Sequence, residues 1–252
     1  MRARCHAWAQ VHRGVKTPQP WLAGAPPFAT YLPGGYTTVT FTPRPTRSIR
    51  LEDTRGLHGA LTALLDRGHE QGMPNFSLAP GEPWGVYWWR EAGLRFANRE
   101  VEGALWDRPT RFRFGPLWRV KAPTVEGRGK RLVRVETITP VVSRAYGSTV
   151  YRSTPTSEVM HAMLAAQFAH RLGLSYLVKQ DLVRVQVVES RTEARHVDCG
   201  AHLGIVVGWV GHVDIETNAP ARWLLRACER VGLGGRTAFG FGRIRVTELA
   251  RQ

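Results

Sequence analysis

The chain has 252 residues, 35 of them Lys or Arg against 20 Asp or Glu, which gives a formal charge of +15 and a sequence pI near 10.9. Its 43% hydrophobic content suffices for sizeable cores in one large or two ordinary domains. No apolar run reaches the ~18 residues of a membrane span, and the segment from Cys5 to Val15 is too polar for a signal peptide.

The basic charge is almost all arginine: only Lys16, Lys121, Lys130 and Lys179 are lysine, leaving 31 arginines. Guanidinium groups bind phosphate bidentately and stack on bases, so an aromatic-rich, cationic globular chain points to a nucleic-acid partner. Cys5, Cys199 and Cys228 show neither a pairing pattern nor metal-ligand spacing. The nine histidines include no zinc-helix motif. The expectation is a cytoplasmic protein in a reducing compartment, without metal or cofactor and without a membrane partner.

In chain order, residues 1–35 are rich in Pro, Gly and Trp and show no clean period. Residues 36–42 alternate and are β-branched, as a strand should be. Asp53 is placed to cap a helix with an apolar stripe of Leu57, Leu61, Leu64 and Leu65, ending near Gly68. Strands are expected at 76–78, 84–89, 94–97 and 111–120. The Gly- and Pro-bearing segment 121–130 reads as a domain boundary. A strand at 131–139 follows, then a helix at 157–172 with Met160, Met163, Leu164, Phe168 and Leu172 on one side. Strands at 182–189 and 204–215 precede a last helix, 219–231, which Asn218 caps and an early proline opens.

The second half therefore reads β-α-β-β-α-β, the ferredoxin-like pattern shared with RNA-recognition folds. The first half begins the same way. The expected fold class is α+β, with tandem ferredoxin-like (RRM-like) domains at residues 1–125, carrying an extra N-terminal segment, and 126–252, carrying a C-terminal glycine-rich loop.

That loop, Gly232-Leu-Gly-Gly-Arg-Thr-Ala-Phe-Gly-Phe-Gly242, has five glycines in eleven residues and leads into a strand over 239–246. Backbone N–H groups bared by glycine, with guanidinium forks beside them, suit phosphate oxygens. The order helix-loop-strand is the reverse of a Walker loop or a dinucleotide fingerprint. A tight helix-to-strand turn is the alternative. Candidate RNA-binding residues are Gly234, Gly235, Arg236, Thr237 and Arg243 on the loop, then Arg226 and Arg230 on the helix. Arg222, Arg226 and Arg230 recur every four residues, and such a stripe can equally be a solvated face. Trp88 and Trp89 point to opposite faces of a strand, one into the core and the other free to stack on a base.

Three segments of the second half resemble a known family in the right order, and the first half adds one further match. The closing Gly-x-Gly-x5-Gly-Phe-Gly resembles the signature loop of the CRISPR-associated RAMP proteins, above all the endoribonucleases that process precursor crRNA. Val135-Glu-Thr-Ile-Thr-Pro140-Val resembles their strand ending in Thr-Pro, and Val206-Val-Gly-Trp-Val-Gly-His-Val213 their Gly-aromatic-Val-Gly strand. Gly56-Leu-His58-Gly-Ala-Leu61 resembles their first helix. The resemblance implies tandem ferredoxin-like domains and metal-independent cleavage of CRISPR repeat RNA by the 2′-hydroxyl, leaving a 2′,3′-cyclic phosphate. It also implies that the product crRNA is retained and that other CRISPR effector subunits are partners. By the same resemblance His58, on the first helix, is the candidate catalytic histidine and Tyr36, on the first strand, a possible partner. His69, His161, His170 and His212 are alternatives. A non-catalytic crRNA-binding RAMP subunit would carry the same loop and charge.

Overall fold

A computed structural model describes residues 31–250, apart from residues 33, 46–49, 52–53, 66–75, 82, 90–95, 107, 128, 145–150, 153, 173–182 and 201–203. The expected features at Asp53, Gly68 and His69, and nearly all of residues 1–35, fall outside the described residues.

Among the described residues are two large antiparallel sheets, a short two-stranded pair and three α-helices. The first sheet contains β1 (Gly35–Thr42), β2 (Phe76–Ala79), β3 (Trp84–Trp88), β4 (Glu100–Leu105) and β5 (Arg108–Phe114), in the order β2-β3-β1-β5-β4. Helix α1 (Thr54–Leu65) lies between β1 and β2 in sequence. Alternation along β1 sends Val39 and Phe41 into one buried cluster with Leu57 and Leu61 of α1 and with Trp84, Val86 and Trp88 of β3. Leu57 and Leu61 are fully buried, each worth roughly 1.5–3 kcal/mol of transfer free energy. Tyr36 and Thr38 point to the opposite face, where Tyr36 pairs with Tyr87.

The second sheet holds β6 (Arg131–Thr137), β9 (Val185–Asp198), β10 (Ile205–Thr217) and β11 (Ile244–Glu248), in the order β11-β6-β10-β9. Numbered within this half, the order is 4-1-3-2, that of the ferredoxin-like pattern. Helix α2 (Ser157–Leu172) follows β6 and the short β7–β8 pair (Ser143–Arg144, Tyr151–Arg152), and α3 (Ala219–Val231) follows β10. Val133, Val135, Val213, Ile215 and Val246 of the sheet share a core with Met160 and Leu164 of α2 and with Leu224 and Cys228 of α3.

Several expectations need correction, among them the strand expected at 182–189, which runs from Val185 to Asp198. The strand expected at 94–97 is a turn over 96–98 within its described residues, and the strand found is β4. The strand expected at 111–120 begins at Arg108 and ends at Phe114. Phe239 closes a 3₁₀ turn, Thr237–Phe239, and the last strand starts only at Ile244. In place of the second helix of a ferredoxin-like unit, the described part of the first half has β4 hairpinned onto β5.

The halves interlock. Val142, Val197, Val206, Phe239 and Phe241 belong to the core of the first sheet, and Leu32, Tyr87 and Trp89 to that of the second. The β9–β10 hairpin carries Val197 and Val206 at its far end, so it spans both cores.

Arg222, in the expected arginine stripe, is 1% exposed and not solvated. Its Nη1 donates to the carbonyls of Gly129 (2.8 Å) and Thr217 (3.2 Å), and its Nη2 to those of Glu126 (3.1 Å) and Gly127 (2.6 Å). Burial lowers its pKa, opposed by Glu248, yet an arginine stays charged. The guanidinium thus fastens the connection between the two sheets to the start of α3. Arg222→Ala should cost about 2 kcal/mol, because four carbonyls lose one charged donor together. Arg222→Lys should recover little, since an ammonium cannot span four carbonyls. A urea midpoint lowered at unchanged slope is the expected result.

The outward face of the second sheet is charge-paired. Arg134 Nε and Nη2 each lie 2.8 Å from a carboxylate oxygen of Asp214, the residue opposite on β10. Arg134 holds the buried Asp214 carboxyl below its usual value. A depressed folded pKa gives stability that is present above the unfolded pKa and lost as pH falls through the folded one. Acid unfolding below about pH 4 should therefore be less steep in Asp214→Asn than in the wild type, as read by denaturant midpoints across that range.

Candidate functional site

The glycine loop is the junction between the halves. Asn218 opens α3 by accepting from the N–H of Ala221, and Gly232 ends the helix with its N–H on the carbonyl of Cys228. The chain then wraps around β2, the edge strand of the first sheet. Thr237 accepts a hydrogen bond from the hydroxyl of Ser77 (3.1 Å), which lies on the Tyr87 face of that sheet. Two residues on, Phe239 lies over the opposite face, against His58 and in one cluster with Phe76. Ser77 and Phe76 are adjacent on β2 and point to opposite faces, so the loop clasps the edge.

The loop's amides are largely engaged. Leu233 N–H donates to Gly242 O (2.8 Å), Gly235 to Val142 O (2.9 Å), Phe239 to Arg236 O (2.9 Å), Gly240 to Thr237 O (3.1 Å) and Gly242 to Pro140 O (2.9 Å). The expected row of open N–H donors is thus mostly spent on closing the loop. Glycine is required for close approach instead: a Cβ on Gly234 would lie 2.6 Å from the carbonyl of Val142. Thr237, 2% exposed, faces Ser77 and not solvent.

His58 comes to this junction from α1. Its ring centroid is 3.8 Å from that of Phe239, tilted by 48°, and 5.5 Å from that of Phe76. The residue is 7% exposed. Arg236, with left-handed φ of 59°, sets its guanidinium carbon 5.9 Å from the Phe239 centroid. His58 and Arg236, an imidazole and a half-buried cation, thus both lie against one aromatic ring, that of Phe239. An imidazole can take or give a proton near neutrality, and a guanidinium can hold phosphorane charge without itself acting as a base.

The other sequence candidates separate into three groups. Arg243 is half-buried, with Nη1 donating to the carbonyl of Arg230 (2.7 Å). Burial pushes its pKa down, with Tyr36 and Glu229 opposing and Arg230 adding to the effect. Arg230 is exposed at the end of α3. Arg226 serves structure: its Nη1 donates to the carbonyl of Val246 and lies 3.6 Å from Glu229. Tyr36 occupies the face of the first sheet opposite α1, so the sheet stands between it and His58. One phosphate cannot sit between those two side chains, and the structure does not bring them together as an acid–base pair.

Trp88 and Trp89 are both buried, at 0% and 3% exposure, which removes either as an open stacking surface. His212 faces outward on β10 opposite Glu136. His161 lines a cavity of about 320 Å³ with Lys130, Glu158, Arg184 and Glu216, where burial lowers its pKa. Asn218 also lines that cavity, which places it at the start of α3, roughly 20 Å of helix from the loop. The side chain of His170 lies outside the described residues. Phe239 was not legible as the cover of His58, because an aromatic residue between glycines carries no signal of what it will pack against. Among the described residues no three His, Cys, Asp or Glu side chains gather to hold a metal ion, and no helix is long and apolar enough to cross a membrane.

No family model matches the chain, and neither does any curated protein. Solved structures do match over most of its length. A Cas6 product complex is 17% identical, with 85% of this chain and 98% of that one covered and a TM-score of 0.55. A second product complex, of a Thermus thermophilus Cas6, is 18% identical, with 86% and 100% covered and a TM-score of 0.53. A Cas6b crystal structure is 14% identical, with 85% and 99% covered and a TM-score of 0.53. The chain shares the fold of these proteins.

Proposed function

We propose that this chain is a Cas6-type endoribonuclease that cuts CRISPR repeat RNA within precursor crRNA. The observation that carries the proposal is the contact of His58 with Phe239, which brings the histidine of the first half to the glycine loop of the second, next to Arg236, in a fold shared with Cas6. The charge of +15, almost wholly arginine, supports an RNA substrate.

The reaction is attack of a ribose 2′-hydroxyl on the adjacent phosphorus. A P–O bond to the 2′-oxygen forms and the bond to the 5′-oxygen breaks, leaving a 2′,3′-cyclic phosphate and a 5′-hydroxyl. His58 is assigned one of the two proton transfers, and Arg236 the charge on the phosphate. Arg230 and Arg243 bind further phosphates, and Tyr36 has no part in proton transfer. Balance requires no divalent ion. The mature crRNA stays bound, ready for other effector subunits. The test is a gel of cognate repeat RNA incubated with the protein in EDTA, with the product ends identified by phosphatase and kinase treatment. One cut with a cyclic phosphate end is expected; a cut that appears only with magnesium rejects the mechanism.

One observation favours a second reading, a non-catalytic crRNA-binding subunit: His58 exposes only 7% of its surface. That reading gives tight binding of an uncut repeat in the same gel.

A further inference from the structure

Trp118 stands out on the surface. It is 47% exposed, among the most exposed large hydrophobic side chains of the described residues. It lies just beyond β5, in the segment that leads to the second sheet. Its position is fixed from both sides of the backbone: the N–H of Tyr36 donates to Trp118 O (2.9 Å) and the N–H of Trp118 to Tyr36 O (2.8 Å). This bridge sets the two rings on one face, with centroids 6.3 Å apart and planes within 24°. One side of the indole is thus backed by a phenol, and nearly half of the residue's surface is open to solvent.

The surroundings are cationic. Arg119 and Lys121 flank the bridge in sequence, both exposed. Arg119 already lies 5.8 Å over the ring of Tyr31, itself 41% exposed. A rigid, backed aromatic ring among exposed positive side chains fits a nucleobase whose flanking phosphates meet the cations. An apolar protein partner would leave those charges to be desolvated.

We propose that Trp118, backed by Tyr36, is a stacking platform for an unpaired nucleotide of the bound RNA, away from the scissile phosphate. The proposal rests on the RNA-cleaving reading above and adds a binding residue to it. The sheet that separates Tyr36 from His58 also separates the platform from the cluster of His58, Phe239 and Arg236. The loop connects the two faces: Arg236 lies on the His58 side, and Thr237, the next residue, meets Ser77 on the face that carries Tyr36 and Tyr87. An RNA strand that follows the loop would place its cut and its stacked base on the two sides of the sheet edge.

The platform should therefore act on affinity and not on chemistry. Trp118→Ala should weaken binding of the repeat RNA by roughly 5- to 150-fold, the range for loss of one base–aromatic stack. The single-turnover rate at saturating enzyme should stay within about twofold of wild type. Trp118→Phe should bind within a few fold of wild type, because a phenyl ring still stacks. Repeat RNAs carrying one abasic nucleotide identify the partner: at one position the loss should match that of Trp118→Ala, and the two losses should not add. Melting curves of both variants control for folding, and at an exposed position no large shift is expected.

If wild-type protein cuts the repeat while Trp118→Ala binds it as tightly as wild type, the platform is rejected and the nuclease stands. Additive losses at every abasic position also reject it. If wild-type protein neither binds nor cuts the repeat, the reading beneath the proposal fails instead.

Discussion

Replacing His58 with Ala should slow repeat cleavage by roughly 10²- to 10⁴-fold, the range for loss of a positioned general acid or base. Affinity for the repeat should stay within a few fold, since Arg230, Arg236 and Arg243 remain. The imidazole also packs on Phe239 and Phe76, so the Ala variant opens a gap at the junction of the two halves. A loss of rate could then be a loss of loop position. His58→Phe separates these causes: it keeps an aromatic ring in the slot and removes the exchangeable proton. The expected result is a melting temperature close to wild type with cleavage as low as in His58→Ala. Cleavage by His58→Phe near the wild-type rate would assign the proton transfers to other residues and leave His58 as packing.

What could be read from the sequence divides along physical lines. The second half was legible because its elements bury one clean face. Val133 and Val135, Val213 and Ile215, and the stripe Leu224, Cys228 and Val231 each follow the period of their element. The extent of β9 was not legible. Residues 190–196 read Ser-Arg-Thr-Glu-Ala-Arg-His and are mostly exposed, so no hydrophobic period marks them. They are strand because β10 holds them by backbone hydrogen bonds as far as Asp198. A pattern-based reading stops where burial stops, and pairing does not. β4, Glu-Val-Glu-Gly-Ala-Leu, failed for the related reason that alternating glutamates and a glycine lower its strand propensity.

Of the candidate site, His58 and the loop were legible as separate features. Their contact was not, because it depends on Phe239 reaching across the edge strand β2. The arginine stripe misled in an instructive way. Period alone cannot distinguish a solvated face from Arg222, whose charge is satisfied by the four carbonyls it gathers.

Two glycines of the loop should behave oppositely when replaced by alanine. Gly242 has φ of 77°, and a Cβ there would sit 2.0 Å from the carbonyl oxygen of Leu233. That oxygen belongs to backbone and cannot swing away, so the loop itself must move. Movement puts at risk the Leu233–Gly242 and Gly242–Pro140 hydrogen bonds, each worth about 1 kcal/mol, on top of about 1–2 kcal/mol for an alanine in the left-handed region. Gly242→Ala should lose about 3 kcal/mol or more, which for a chain of this size lowers the melting temperature by roughly 6–12 °C. A Cβ on Gly235 meets nothing closer than 3.6 Å, so Gly235→Ala should leave stability within about 0.5 kcal/mol of wild type. RNA binding then separates the two uses of the loop. If the loop acts only as a wedge between the sheets, Gly235→Ala binds repeat RNA normally, and Gly242→Ala recovers binding once the temperature is lowered enough to refold it. If a phosphate also rests on the loop, the methyl group of Gly235→Ala stands in its way and weakens binding with no change in melting. The Gly235 amide already donates to Val142, so the wedge outcome is the expected one. RNA contact would then fall to the side chains of Arg236 and Arg243 and not to the glycine backbone between them.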